Sequence, residues 1–235
     1  TPKEDQSALP NFDSADKNDS YEGLFSGEKY TGIDNIAAAN DFTAGLESDF
    51  IDEETGETYL SLKSAQTFYG DAISENSGSR KYSDIALSAD FTLNDFTFNN
   101  SLQYDPETNK IDKRDSSVSY ILNPRKFLTL AHHDDSSTET AELYGAYPVT
   151  KNIHAFAGVN YSITSSITNK ETTGIAYESC CWAVRLAHFK QYTGSDYDYV
   201  TNIELVLKGL ASTSPSLYKR LEEDVPSYLA NLDNF

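Results

Sequence analysis

From about residue 38 to residue 210 the chain alternates apolar and polar side chains with a period of two. That period places successive side chains on opposite faces of a strand. It predicts eleven strands, at 38–50, 58–69, 82–92, 95–104, 111–122, 126–133, 139–148, 152–164, 167–177, 180–190 and 199–210. In 82–92 Ile85, Leu87, Ala89 and Phe91 oppose Asp84, Ala86, Ser88 and Asp90. In 152–164 Ile153, Ala155, Ala157, Val159 and Tyr161 oppose His154, Phe156, Gly158, Asn160 and Ser162. A helical period competes only near the C-terminus, where 216–232 predicts a short amphipathic helix.

The charges divide the two faces. Glu47, Lys63, Asp84, Asp90, Glu142, Arg185, Glu204 and Lys208 all fall in the polar register. A lysine or arginine facing lipid at mid-depth costs about 2–4 kcal/mol, whereas a wet lumen accepts it cheaply. Asp112, Arg114, His188 and Lys190 break the register but lie near strand ends. A soluble sandwich produces the same alternation with inside and outside exchanged. Two features favour a membrane barrel. The spans are about 9–12 residues, the length of a membrane-crossing strand, against about 5–6 for ordinary strands. The connections also alternate between tight turns, such as Leu93-Asn94, Asn123-Pro124-Arg125 and Glu178-Ser179, and longer segments, such as 71–81 and 191–198. Outer-membrane barrels carry short periplasmic turns and longer outer loops. The expected fold is therefore an all-β antiparallel transmembrane β-barrel, or the C-terminal part of a larger one. Residues 1–37 are expected to form a long acidic loop, external or lumenal, and 211–235 a periplasmic tail.

Composition narrows the function. The chain has 235 residues, 16 Tyr, 12 Phe and a net charge of -19. That charge argues against nucleic acid, whose phosphates need a basic surface. No apolar run approaches the roughly 18–20 residues of a membrane-spanning helix, and barrel strands do not need one. The chain begins at Thr1 and contains no Met, so a processed or truncated piece is expected. No nucleophile elbow, phosphate loop or zinc-protease motif is present in the sequence, so no enzyme activity and no cofactor are expected. The run His132-His133-Asp134-Asp135 reads as a solvated outer loop, and the Asp13, Asp16 and Asp19 spacing lacks the glycine and glutamate of a calcium loop. No metal site is expected.

The two cysteines, Cys180 and Cys181, are adjacent. Consecutive Cα atoms sit about 3.8 Å apart, shorter than the roughly 4.4–6.8 Å a disulfide prefers. If oxidised, they have partners outside this chain. If reduced, they are two thiols of a cytosolic protein. The turn that carries them is one of the tight ones, which a barrel would place in the oxidising periplasm.

Three stretches carry a family resemblance. They are Leu9-Pro10-Asn11-Phe12-Asp13-Ser14-Ala15-Asp16 with Asn18-Asp19-Ser20-Tyr21-Glu22-Gly23-Leu24-Phe25 and Tyr30-Thr31-Gly32-Ile33-Asp34; Gly174-Ile175-Ala176-Tyr177-Glu178-Ser179-Cys180-Cys181-Trp182-Ala183-Val184-Arg185; and Glu204-Leu205-Val206-Leu207-Lys208-Gly209-Leu210. Together they resemble the C-terminal barrel half of the lipopolysaccharide-assembly family LptD. The resemblance implies a very large barrel in the outer membrane of a Gram-negative bacterium. Such a barrel receives lipopolysaccharide (LPS) from an LptA-type periplasmic bridge through an N-terminal domain, and releases it into the outer-membrane lipid through a lateral seam. A lipoprotein, LptE, plugs the lumen. The resemblance further implies that Cys180 and Cys181 bond to N-terminal cysteines absent from this chain. It assigns the last strand, with Ile203, Glu204, Leu205, Val206, Leu207 and Lys208, to the lateral gate. Glu47, Lys63, Asp84, Asp90 and Arg185 would then face the lumen. Pro10, Asn11, Phe12, Asp13 and Tyr21 would belong to a loop in the lumen or over the exit. A porin-type barrel and a secreted polysaccharide-binding sandwich are the competing readings.

Overall fold

A computed structural model describes residues 10, 12, 15, 17–27, 30–31, 40–70, 80–207, 211–212, 215–226 and 228. After a short helix α1 (Tyr21–Phe25) come β1 (Asp41–Ile51), β2 (Thr58–Tyr69), β3 (Ile85–Leu93), β4 (Phe96–Asp105), β5 (Lys110–Asn123) and β6 (Lys126–Asp135). They are followed by β7 (Glu139–Pro148), β8 (Ile153–Ser162), β9 (Ile167–Glu178), β10 (Trp182–Tyr192) and β11 (Tyr197–Leu207). A two-residue β12 (Ala211–Ser212) and the helix α2 (Pro215–Asp224) end the series. All eleven anticipated strands are present within a few residues of their expected spans. The fold is an antiparallel meander whose hydrogen-bonded order follows the chain, consistent with a portion of barrel wall. No helix among the described residues is long and apolar enough to cross a membrane, which says nothing about strands.

Local chemistry sets the turns. Asp52 Oδ1 accepts from the N–H groups of Glu54 (2.9 Å) and Thr55 (2.8 Å), folding the β1–β2 connection. Asp105 and Asp135 do the same after β4 and β6, accepting from Glu107 and Thr138. A short carboxylate can bond backbone two or three residues ahead, which is why aspartate recurs where strands stop. The tight β3–β4 turn turns on Asn94 at φ 52°, a left-handed conformation that asparagine tolerates.

The chain divides into two compact units, Thr1–Phe91 with Asn99–Asp115 and Thr92–Phe98 with Ser116–Phe235. Within the first, Phe42, Leu46, Leu62 and Leu87 are exposed, Leu46 by 80%, while Asp84 and Asp105 are buried. Within the second, Leu128, Leu130, Ile175, Leu186 and Ile203 are exposed, Ile203 by 70%, whereas Arg185, His154, Glu178 and Glu204 are buried, Glu204 to 1% exposure. A dry sandwich would reverse both sets. The exposed aliphatic stripes and buried charges are the arrangement of a lipid-facing wall.

The second unit also carries aromatic pairs at the strand ends. Tyr177 meets Trp182 at 5.0 Å at one end of β9–β10, and Tyr192 meets Tyr197 at 5.4 Å at the far end of β10–β11. The eleven residues of β10 extend about 36 Å and, tilted by about 40°, span roughly the 25 Å apolar band of outer-membrane barrels. Aromatic rings flanking such a band fit the headgroup region.

The C-terminal segment departs from its expected form. The helix is shorter than 216–232 and lies on the polar face of the second unit. Leu217, Leu221, Val225 and Tyr228 are fully buried against Phe127, Ala146, Phe156, Ala176, Ala187 and Phe189.

Candidate functional site

The candidate site is the polar face of each unit, together with the turn after β9 and the edge strand β11. In the first unit Glu47 and Lys63 are directly opposite on β1 and β2. Their charges lie 3.1 Å apart, and Lys63 also reaches Glu22 at 3.8 Å. The Tyr21 hydroxyl donates to Glu47 at 3.4 Å, and Lys63 sits 5.3 Å from the Tyr21 ring centroid. Burial, then the Glu47 carboxylate, pushes the Tyr21 phenol above its usual range. Tyr21 starts α1, whose N-cap Ser20 accepts from the Gly23 N–H at 3.0 Å. At the other end of α1, the Phe25 ring lies over Gly45, where any Cβ would come within 2.8 Å of it. The helix is therefore seated on β1 by a glycine.

A second cluster lies where β3 begins. Arg80 pairs with Asp84 at 2.5 Å and with Asp105 at 3.1 Å. The Asp84 N–H donates to Asp19 at 3.1 Å, bringing the N-terminal segment onto this cluster. Asp112 completes a carboxylate group whose oxygens lie within 4.8 Å of one another. The guanidinium already answers two of the three charges, and nothing here requires a metal. Asp90 is half-buried on β3, paired in register with Ser61. Of the N-terminal residues, Pro10 is exposed and Phe12 is 82% exposed, while Asn11 and Asp13 lie outside the described residues.

In the second unit four charged or titratable groups of the polar face, His154, Glu178, Arg185 and Glu204, are buried. Arg185 on β10 and Glu204 on β11 are register partners, 3.0 Å apart and both buried. Glu178, the last residue of β9, pairs with Arg125, and its other oxygen lies 3.5 Å from His154 Nε2. The same nitrogen is 2.5 Å from the Tyr228 hydroxyl. Burial raises the Tyr228 phenol well above its ordinary value.

Directly after Glu178 comes the turn with Cys180 and Cys181, both exposed. Their sulfurs are 2.7 Å apart, longer than the roughly 2.05 Å of a disulfide bond. The Ser179 N–H donates to the Trp182 carbonyl at 2.9 Å and closes the turn beneath them. On β11, Ile203, Leu205 and Leu207 are exposed, Glu204 points to the polar face, and Val206 is half-buried. Lys208 lies outside the described residues.

Sequence reasoning missed Arg80, Glu178, Tyr228 and the apolar patch beneath α2. One signal was available. Phe156 and Phe189 fall in the polar register, which makes little sense for a wet face. Gly158 and Gly174 stand in the same register. The Phe156 ring overlies Gly174, its cross-strand partner, and the Asp224 carbonyl would lie 2.4 Å from a Cβ on Gly158. Aromatics and glycines on a charged face mark the place where another segment lies down.

The family model described as "LptD: LPS transport system D" matches residues 1–152. The LPS-assembly protein LptD of Shewanella frigidimarina is 27% identical over 243 residues, covering 90% of this chain and 32% of that protein. That of Burkholderia lata is 26% identical over 249 residues, covering 97% of this chain and 32% of its own length. That of Ralstonia nicotianae is 27% identical over 245 residues, covering 97% and 30%. The chain thus spans about a third of the length of the curated relatives it matches. The cysteine turn and β11 lie beyond the family-model match but within the span of chain these relatives cover.

Proposed function

The chain belongs to the LptD family of LPS transport proteins, and on that premise we propose that it forms part of an outer-membrane barrel wall that passes LPS into the outer leaflet. The observation that carries this reading is the inversion of the faces: exposed Leu46, Leu186 and Ile203 against buried Asp84, Arg185 and Glu204. Only a hydrocarbon solvent rewards that pattern. The polar face then borders the route taken by the hydrophilic part of LPS, and this part of the protein guides without making or breaking bonds.

β11 is the edge from which release proceeds. It pairs with β10 along its whole length and is the last long strand of the sheet, followed in the sheet order by the two-residue β12. A strand in lipid needs partners on both sides for its backbone groups, so we assign the outer side of β11 to the barrel's first strand and that junction to the lateral seam. LptE is assigned to the lumen, and an LptA-type bridge to the N-terminal domain that precedes this chain. Locking Ile203→Cys on β11 to a cysteine on the facing first strand of the full-length protein is expected to stop surface LPS from accumulating, with recovery on reduction. Undiminished delivery through a fully locked junction would sink the seam.

The turn after β9 is the covalent anchor. Cys180 and Cys181 are exposed at the tight-turn end of the sheet, next to the Glu178–Arg125 pair, which supports their pairing with N-terminal cysteines of the same protein. Cys180→Ser combined with Cys181→Ser in the full-length protein is expected to slow barrel maturation severely, read as loss of the cross-linked form on non-reducing gels and reduced surface LPS. Normal maturation of that double variant would refute the anchor.

A further inference from the structure

We propose that the second unit carries a saccharide subsite, a pocket bounded by β7, β8, β9 and the end of α2 that takes one neutral sugar ring of the cargo; the inference rests on the reading above that the hydrophilic part of LPS follows the polar face. The pocket has a volume of about 240 Å³. That is below the roughly 300–1,000 Å³ of sites for drug-sized ligands, and it suits a single ring. Its polar lining is Glu142 from β7, Asn160 from β8, Asn169 and Lys170 from β9, and Glu223 and Asp224 from α2.

A bulge builds the pocket. Asn160 pairs with Lys170, but the next residue, Tyr161, pairs with Thr168, so Asn169 is an extra residue on β9. A bulge re-aims side chains. Here it brings two consecutive residues to one pocket. Asn169 Nδ2 donates to Asn160 Oδ1 at 2.8 Å, and Lys170 Nζ reaches Asp224 at 3.4 Å. Asn160 Nδ2 donates in turn to Glu142 Oε1. Asp224, whose side chain is only 6% exposed, also accepts from Thr172 Oγ1 at 2.8 Å. Gly158 admits this far wall, since a Cβ there would collide with the Asp224 carbonyl.

The chemistry of the lining selects the guest. Each amide nitrogen carries two hydrogens and uses one in these bonds, so one on each remains for a ligand. Glu142 and the exposed Glu223 offer acceptors beside them. Neighbouring hydroxyls of a sugar both donate and accept, which answers such a mixed set. The half-buried Tyr144 gives an apolar wall for the C–H face of the ring. Phosphate would meet three carboxylates and one ammonium already directed at Asp224. A divalent cation would meet that ammonium and the amide N–H groups, and these three carboxylates do not draw together as Asp84, Asp105 and Asp112 do. A seat for passing cargo must also let go, so the expected affinity is millimolar.

Saturation-transfer NMR tests this on the full-length protein with its plug lipoprotein, in lauryldimethylamine oxide, a detergent without a sugar headgroup. Methyl α-D-glucopyranoside and methyl α-D-galactopyranoside are the probes, and at least one is expected to bind the unaltered protein. Asn160→Asp and Asn169→Asp keep the side-chain size and remove the N–H donors. Each is expected to weaken binding about tenfold, the worth of one well-made hydrogen bond. Failure of both glycosides to bind, binding that survives in both variants, or displacement of the sugar by inorganic phosphate or calcium overturns the subsite. Binding is read without transport, so an empty pocket strikes the subsite alone, while the cross-linking result judges the exit route separately.

Discussion

Both ends of this chain lay a helix on a polar sheet face, and they do it by opposite physics. In the first unit α1 is held by charge and hydroxyl groups: Lys63 between Glu22 and Glu47, Tyr21 on Glu47, and a Phe25 ring that remains 49% exposed. In the second, among the described residues, α2 and the residues after it bury Leu217, Leu221, Val225 and Tyr228 completely and bring Asp224, Arg220 and Tyr228 to the sheet as polar contacts. The wet contact is adjustable, because exposed ion pairs contribute little and exchange with water readily. The dry one is all-or-none, because each buried apolar side chain adds about 1.5–3 kcal/mol and leaves a cavity when lost.

Substitutions can sharpen that contrast. Arg185→Ala should be the most damaging, because it strands Glu204 at 1% exposure without its counter-charge. Breaking a buried pair from one side costs about 3–5 kcal/mol. The same change at Lys63, whose partner Glu47 is 44% exposed, should cost under about 1 kcal/mol. Urea unfolding of the two full-length variants in detergent measures the difference, and similar midpoints would erase the distinction between a dry and a wet face. Leu221→Ala comes next, at about 2–5 kcal/mol, against about 1 kcal/mol for Phe25→Ala, which is half in solvent already. Limited proteolysis should show release of the C-terminal segment in the first and an unchanged sheet in the second. If Phe25→Ala proved the costlier, α1 rather than α2 would be the rigid attachment.

The sheet was legible in the sequence because each strand reports its own two faces. Alternation around Ile85–Phe91 or Ile203–Leu207 needs no information from elsewhere in the chain, and the aspartates at 52, 105 and 135 announce the turns locally. Glu47, Lys63, Asp84, Arg185 and Glu204 could be assigned to the polar face one strand at a time. The partners of those charges were less accessible. The register that sets Arg185 opposite Glu204 follows from the β10–β11 hairpin, whose strands are consecutive in the chain, but Arg80 meets Asp105 and Arg125 meets Glu178 only because distant segments converge.

Least visible was the landing of the tail. Periodicity predicts a short amphipathic helix in this tail, but helical periodicity states that one stripe is apolar without saying what covers it. Phe156, Phe189, Gly158 and Gly174 were oddities on a charged face until Tyr228 and Val225 came to rest against them. The order of apolar and polar residues by itself determined the strands, their faces and the solvent each face prefers, since those are nearest-neighbour properties of a pleated chain. Which part of the polar face stays wet and which is sealed by a helix was decided only by tertiary packing, since that depends on contacts between residues far apart in the chain, such as His154 and Tyr228, 74 positions apart.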